Sequence, residues 1–112
     1  PVETVKCPVL YIAPMGENAS FEAAAIVADL RAGGISAQTD VVGRSLKAQM
    51  KYADKIGAKF TVVLGDDEIE NGKAKLKDMK EGTVTEIKLD ELTLELGEAI
   101  REQIFKNFAE II

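Results

Sequence analysis

Asp66, Asp67, Glu68 and Glu70 form the densest group of acids in this sequence, and Arg44, Lys47, Lys51, Lys73, Lys75 and Lys77 are spaced so that they could gather on one side of a domain. Grouped carboxylates can hold a divalent cation or move protons. The acid spacing is not that of an EF-hand loop, whose glycine and closing glutamate fall elsewhere, and a solvated turn is the plainer account of Asp66, Asp67 and Glu70. Glu68 has a further capacity, because a carboxylate accepts hydrogen bonds from the exocyclic amines and ring N–H groups of unpaired bases. A glutamate beside several cations and few aromatics suits a single-stranded RNA loop, held through its phosphates and read at a few bases. Any one of these lysines, taken alone, is more simply a solvated surface residue.

Composition narrows the chemistry. The 112 residues include no His, which removes Ser/His/Asp and Cys/His relays and His-containing zinc sites. The lone Cys7 cannot close an internal disulfide and fits a reducing cytoplasm. No apolar run reaches the roughly 20 residues of a membrane helix, so a soluble, cytoplasmic protein without a membrane partner is expected. The net charge of −5 argues against a polyanion as ligand. That value is an average: residues 36–82 carry nine of the fourteen cations and are weakly positive, between acidic flanks.

The elements that must position these side chains follow from periodicity and punctuation. Val9 to Ala13 is a short β-rich apolar run closed by Pro14 and Gly16, the pattern of a strand buried on both faces. A helix capped by Asn18 or Ser20 follows, with Phe21, Ala24, Ala25, Ala28 and Leu30 as its apolar positions, and Gly33-Gly34 ends it. Ile35 to Val42 reads as a second strand. Ser45 is placed to cap the next helix, whose apolar face is Leu46, Met50 and Ala53, with Lys47, Lys51 and Lys55 as a separate stripe. Phe60 to Leu64 is a third buried strand. After Gly65 the acids form a turn, and from Asn71-Gly72 the period changes to 2: Lys73, Lys75, Lys77 and Met79 share one strand face, Ala74, Leu76 and Asp78 the other. Thr83 to Leu89 is a fifth strand, and a last helix begins near Asp90 or Thr93, with Leu92, Leu96, Ile100, Ile104, Phe108 and Ile111 or Ile112 on its apolar side and Gly97 as a weak point. Tyr11, Tyr52, Phe21 and Phe60 read as core. The order βαβαβ followed by ββα predicts a three-layer α/β/α domain, residues 1–112, on a five-stranded mixed sheet. Neither phosphate-loop glycine pattern occurs, so a nucleotide-binding enzyme is disfavoured.

Three stretches closely resemble the C-terminal domain of bacterial histidyl-tRNA synthetases: Tyr11-Ile-Ala-Pro-Met-Gly16, Gly43-Arg-Ser-Leu-Lys-Ala-Gln-Met-Lys-Tyr-Ala-Asp-Lys-Ile-Gly-Ala58 and Val63-Leu-Gly-Asp-Asp-Glu-Ile-Glu-Asn-Gly72. The last is shared more loosely with the anticodon-binding domains of the threonyl, prolyl and glycyl enzymes. The resemblance implies the sheet order 2-1-3-4-5 with strand 4 antiparallel, and recognition of the histidine tRNA anticodon loop. By position, Glu68 matches a base-contacting glutamate of the threonyl domain, Gly43 and Ser45 fall among its anticodon contacts, and Lys51 and Lys77 match arginines. Lysine keeps the charge and loses the bidentate fork, which favours phosphate contact. Arg44, Lys47 and Gln49 belong to the histidyl-type stretch, and Lys73 joins the candidate tRNA-binding set. No catalytic or metal-binding residue and no cofactor are expected in this chain. It reads as an excised domain entered by a linker at Pro1, whose parent ligase carries ATP and magnesium in a separate catalytic domain and can form a homodimer. The last helix is expected to bury its apolar side, or else to pack on that catalytic part or a second subunit. An interaction module of the same fold that no longer reads tRNA is the alternative function.

Overall fold

The computed structural model describes residues 8–111, with side chains beyond residue 98 described only at 101, 102, 105 and 109. Cys7 and Pro1 lie outside that range. Five strands, β1 (Leu10–Pro14), β2 (Ala37–Thr39), β3 (Phe60–Leu64), β4 (Lys73–Asp78) and β5 (Val84–Lys88), form one sheet in the order β2-β1-β3-β4-β5. β1 pairs in parallel with β2 and β3, while β4 runs antiparallel to both β3 and β5. The helices are α1 (Glu17–Ala32), α2 (Leu46–Lys55), the short α3 (Asp66–Asn71) and α4 (Leu92–Ile111), the last entered through a single 3-10 turn at Leu89–Glu91.

Strand alternation divides the core in two. Leu10 and Ile12 of β1, Phe60, Val62 and Leu64 of β3, Leu76 and Ile87 pack against Ala19, Ala23, Val27 and Leu30 of α1 and Leu92 and Leu96 of α4. Tyr11, Ala13 and Val63 point the other way and meet α2 through Met50, Tyr52 and Ala53. Successive strand residues face opposite sides, so one strand serves both layers. Each of the fully buried Leu10, Ile12, Leu64 and Leu96 side chains contributes about 1.5–3 kcal/mol by leaving water.

Four local expectations change. α1 buries Ala19, Ala23, Val27 and Leu30, whereas Phe21, Ala24, Ala25 and Ala28 are exposed. Small alanines permit close helix-to-sheet approach, so the buried stripe is set by fit to the sheet rather than by the largest apolar side chain. Its N-cap is Gly16 rather than Asn18 or Ser20; Ser20 Oγ instead donates back to the Gly16 carbonyl at 3.0 Å. Strand 2 spans only Ala37–Thr39, because Asp40 turns the chain by accepting from later backbone amides. The acids after Gly65 form helix α3, not a plain turn: Asp66, Asp67 and Glu68 occupy its first turn, where negative charge complements the helix dipole. Gly72 ends α3 at φ +70°, a left-handed conformation that glycine adopts without a Cβ clash, and its N–H closes on the Glu68 carbonyl at 2.8 Å. α4 runs continuously through Gly97.

Candidate nucleic-acid interface

Helix α2 covers β1 and stops short of β4 and β5, leaving their outer face open. There the two-residue alternation of β4 buries Ala74 and Leu76 and exposes Lys73, Lys75 and Lys77. Cross-strand neighbours on that face are Glu86 opposite Lys75 and Val84 opposite Lys77. These residues, with Met50 of α2 and Glu68 and Asn71 of α3, line a groove of about 670 Å³. Three lysines against two glutamates leave it net positive, with a carboxylate at one end. Such a surface can neutralise RNA phosphates and accept from a base edge.

Glu68 is half-buried and has one oxygen committed: Oε1 accepts the Gly65 N–H at 2.8 Å. This is the glutamate half of a capping box, the other half being impossible because glycine has no side chain. An added Cβ at Gly65 would stand 3.0 Å from that oxygen, so a larger residue there would push the carboxylate by a few tenths of an ångström. The cap fixes the carboxylate, and its other oxygen has no hydrogen bond among the described residues. A pre-oriented acceptor in a cationic groove costs little ordering on binding.

α2 sorts the remaining candidates. Its buried line is Gln49 and Ala53, with Met50 on the β3 flank and Tyr52 on the opposite flank. At about 100° per residue, Lys47 falls on the Met50 side and Lys51 at the outward crest, both exposed. Ser45 caps the helix, its Oγ accepting the Ala48 N–H at 3.3 Å. The first turn of α2 carries no acid, so its positive dipole end is open to an anion.

Gly43 and Arg44 lie on the other flank. The Asp40 carboxylate, 2% exposed, accepts the N–H groups of Gly43 (2.7 Å) and Arg44 (2.8 Å), and its second oxygen stands 3.7 Å from Arg44 Nε. The Arg44 guanidinium carbon sits 4.8 Å from the centroid of the Tyr52 ring. Gln49 is corrected by the structure: it is fully buried and touches no solvent, so it is not a surface contact. Its Nε2 instead donates to the carbonyls of Pro14 (3.1 Å) and Arg44 (2.8 Å), tying β1 to the loop that enters α2. The candidates therefore fall into a groove set (Glu68, Lys73, Lys77), the exposed outer side of α2 (Lys47, Lys51), and a loop set (Gly43, Arg44, Ser45) held by Asp40 and Gln49. Asp40 was missed from sequence; its signal was an acid three residues before a glycine turn.

Tyr11 joins the loop set from below. Its ring meets Tyr52 edge-on at 5.9 Å, and Tyr11 Oη, Asp40 Oδ1 and Gln49 Oε1 are buried without hydrogen-bond partners among the described residues. Burial pushes the Tyr11 phenol above its ordinary value of 10.0, with the Asp40 charge adding and the Arg44 charge opposing. The native state therefore holds the phenol proton more tightly than the unfolded chain. This contribution is intact below pH 10 and declines as pH rises through the folded value. Tyr11→Phe removes a buried, unpaired hydroxyl, so stability at neutral pH should stay within about 1 kcal/mol of the original or rise, and the alkaline loss should shrink. Urea unfolding at neutral pH and above pH 10 checks both.

Phe21, read from sequence as core, is 73% exposed and shares a shallow pocket with the exposed Val41 just after β2; Val42 is exposed as well. Among the described residues no cluster of His, Cys, Asp or Glu is disposed to hold a metal ion, and no helix is long and apolar enough to cross a membrane.

A histidine–tRNA ligase from Acetivibrio thermocellus is 55% identical over 87 residues, covering 78% of this chain and 21% of the relative. The apo histidyl-tRNA synthetase of S. aureus superposes with a TM-score of 0.76 at 44% identity, over 78% of this chain and 22% of that one. The RNA-binding domain of a threonyl-tRNA synthetase from Cryptosporidium parvum shares the fold (TM-score 0.72, 15% identity, 81% of this chain and 23% of that one). The chain thus spans about one fifth of the length of the ligases it matches. The family described as the anticodon binding domain matches residues 10–99, from the first residue of β1 into α4, and the chain belongs to that family.

Proposed function

We propose that this chain is the recognition domain of a histidine–tRNA ligase, a single domain over residues 1–112 that binds the anticodon loop of histidine tRNA and performs no chemical step itself. The observation that carries the reading is the groove, which a capped Glu68 carboxylate lines together with Lys73, Lys75 and Lys77 on the open face of a sheet whose fold and sequence are those of ligase anticodon domains. In it the lysines, with Lys47, Lys51 and the α2 N-terminus capped by Ser45, hold phosphates, and Glu68 accepts from a base edge. Gly43 and Arg44 contact the loop on the far side of α2, and Gln49 supports them from within. ATP and magnesium serve the catalytic domain of the parent ligase, which acts in the cytoplasm, as a homodimer in its full-length form.

Titration of this chain with a histidine tRNA anticodon stem-loop, and with the same hairpin carrying substituted anticodon bases, tests the reading. Preference for the cognate loop and a marked fall in affinity with added salt are expected. Equal affinity for both hairpins removes the recognition role. A protein-contact module is the second reading, favoured by the neighbouring exposed Phe21 and Val41; it requires no RNA affinity in the same titration.

A further inference from the structure

Arg44 differs from every other cation of the candidate set in being built into place. Its backbone is held at both peptide groups, the N–H by Asp40 Oδ2 at 2.8 Å and the carbonyl by Gln49 Nε2 at 2.8 Å. Its guanidinium lies over the Tyr52 ring at 4.8 Å, and its Nε edge faces the buried Asp40 carboxylate at 3.7 Å. Tyr52 is itself fixed, standing edge-on to the fully buried Tyr11 at 5.9 Å. Tyr11, Tyr52 and Arg44 thus form a ladder that begins in the core and ends at a side chain 40% exposed, whose terminal amino groups have no partner among the described residues. A solvated phosphate-binding cation needs none of this support; lysines on the same surface have none of it.

We infer that Arg44 is a stacking platform for one unpaired nucleobase of the bound RNA loop, with Tyr52 and Asp40 as positioning residues. The inference rests on the proposed anticodon-loop reading and assigns a role within it. A guanidinium plane backed by an aromatic ring offers its outer face to a base, and Arg planes serve RNA-binding proteins in that way. The ring behind holds the plane before RNA arrives, which lowers the ordering cost of binding. Because Tyr52 and Met50 flank α2 on opposite sides, the stacked base and the base read by Glu68 lie on either side of that helix. The loop must straddle α2.

The test uses the 112-residue chain, the cognate anticodon stem-loop, and hairpins in which each anticodon nucleotide in turn is made abasic. Arg44→Lys keeps the charge and abolishes the plane; it should weaken binding to the intact hairpin about tenfold, with the loss vanishing at one abasic position. Tyr52→Leu should weaken binding similarly and lose its effect at the same position, while Tyr52→Phe, which keeps the ring, should bind like the original. If Tyr52→Leu does not fold, Arg44→Lys at its exposed site still decides. A lysine variant equal to the original on the intact hairpin, or a loss that persists at every abasic position, overturns the platform. Absence of any binding by the original chain removes the anticodon reading, and the platform with it.

Discussion

Replacing Glu68 with glutamine is expected to leave the fold nearly as stable and to cut recognition of the cognate loop. The glutamine carbonyl can still accept the Gly65 N–H that Glu68 Oε1 accepts at 2.8 Å, so the α3 cap survives, whereas the charged acceptor facing the groove is gone. Hydrogen bonds to charged groups contribute about 1.5–3 kcal/mol, which corresponds to roughly a 10- to 150-fold loss of affinity. Glu68→Ala should show the same loss of affinity and, in addition, about 1 kcal/mol of destabilisation from the missing cap. Two measurements on the pair, hairpin titration and urea unfolding, separate the roles. If Glu68→Gln discriminates cognate from substituted hairpins as well as the original chain does, Glu68 is a capping residue only.

Asp40→Ala should be the costliest polar substitution for stability in the described structure, about 2–3 kcal/mol by urea unfolding. One buried carboxylate oxygen accepts both Gly43 N–H and Arg44 N–H, and each is a charge-assisted bond. Alanine releases both amides and loosens the loop that carries Gly43, Arg44 and Ser45. Asp40→Asn should cost only about 1 kcal/mol, because one amide oxygen can keep both bonds while its NH₂ faces Arg44 Nε instead of a carboxylate oxygen. RNA affinity should fall in the same order as loop stability. Equal stability of the alanine variant and the original would mean that water replaces the carboxylate at no cost, and that the loop is not held from Asp40.

Much of the architecture was legible before any coordinates. Gly, Pro and β-branched runs mark β1 and β3, the switch to a two-residue period marks β4, and the exposure of Lys73, Lys75 and Lys77 follows from that period. α3 was not legible, because six residues without an apolar stripe give no helical period. The usable signal was three acids in a first turn with a glycine just past the end. The side of α1 was misread for a related reason: Phe21 is larger than Ala19 or Ala23, and only the sheet beneath says that small residues must face it.

The site divides along the same line. Local chemistry and spacing determined which residues could meet RNA, since carboxylate, guanidinium and ammonium groups carry their chemistry wherever they stand, and strand alternation already put three lysines on one face. Tertiary structure alone decided how they are arranged. Gln49 bonds Pro14, 35 positions earlier, and so becomes an internal tie rather than a contact. Arg44 and Glu68 end on opposite flanks of α2 because that helix settles on β1, leaving the face of β4 and β5 open. Such placement depends on contacts between residues far apart in the chain, formed when buried surfaces find each other, and no local pattern contains them.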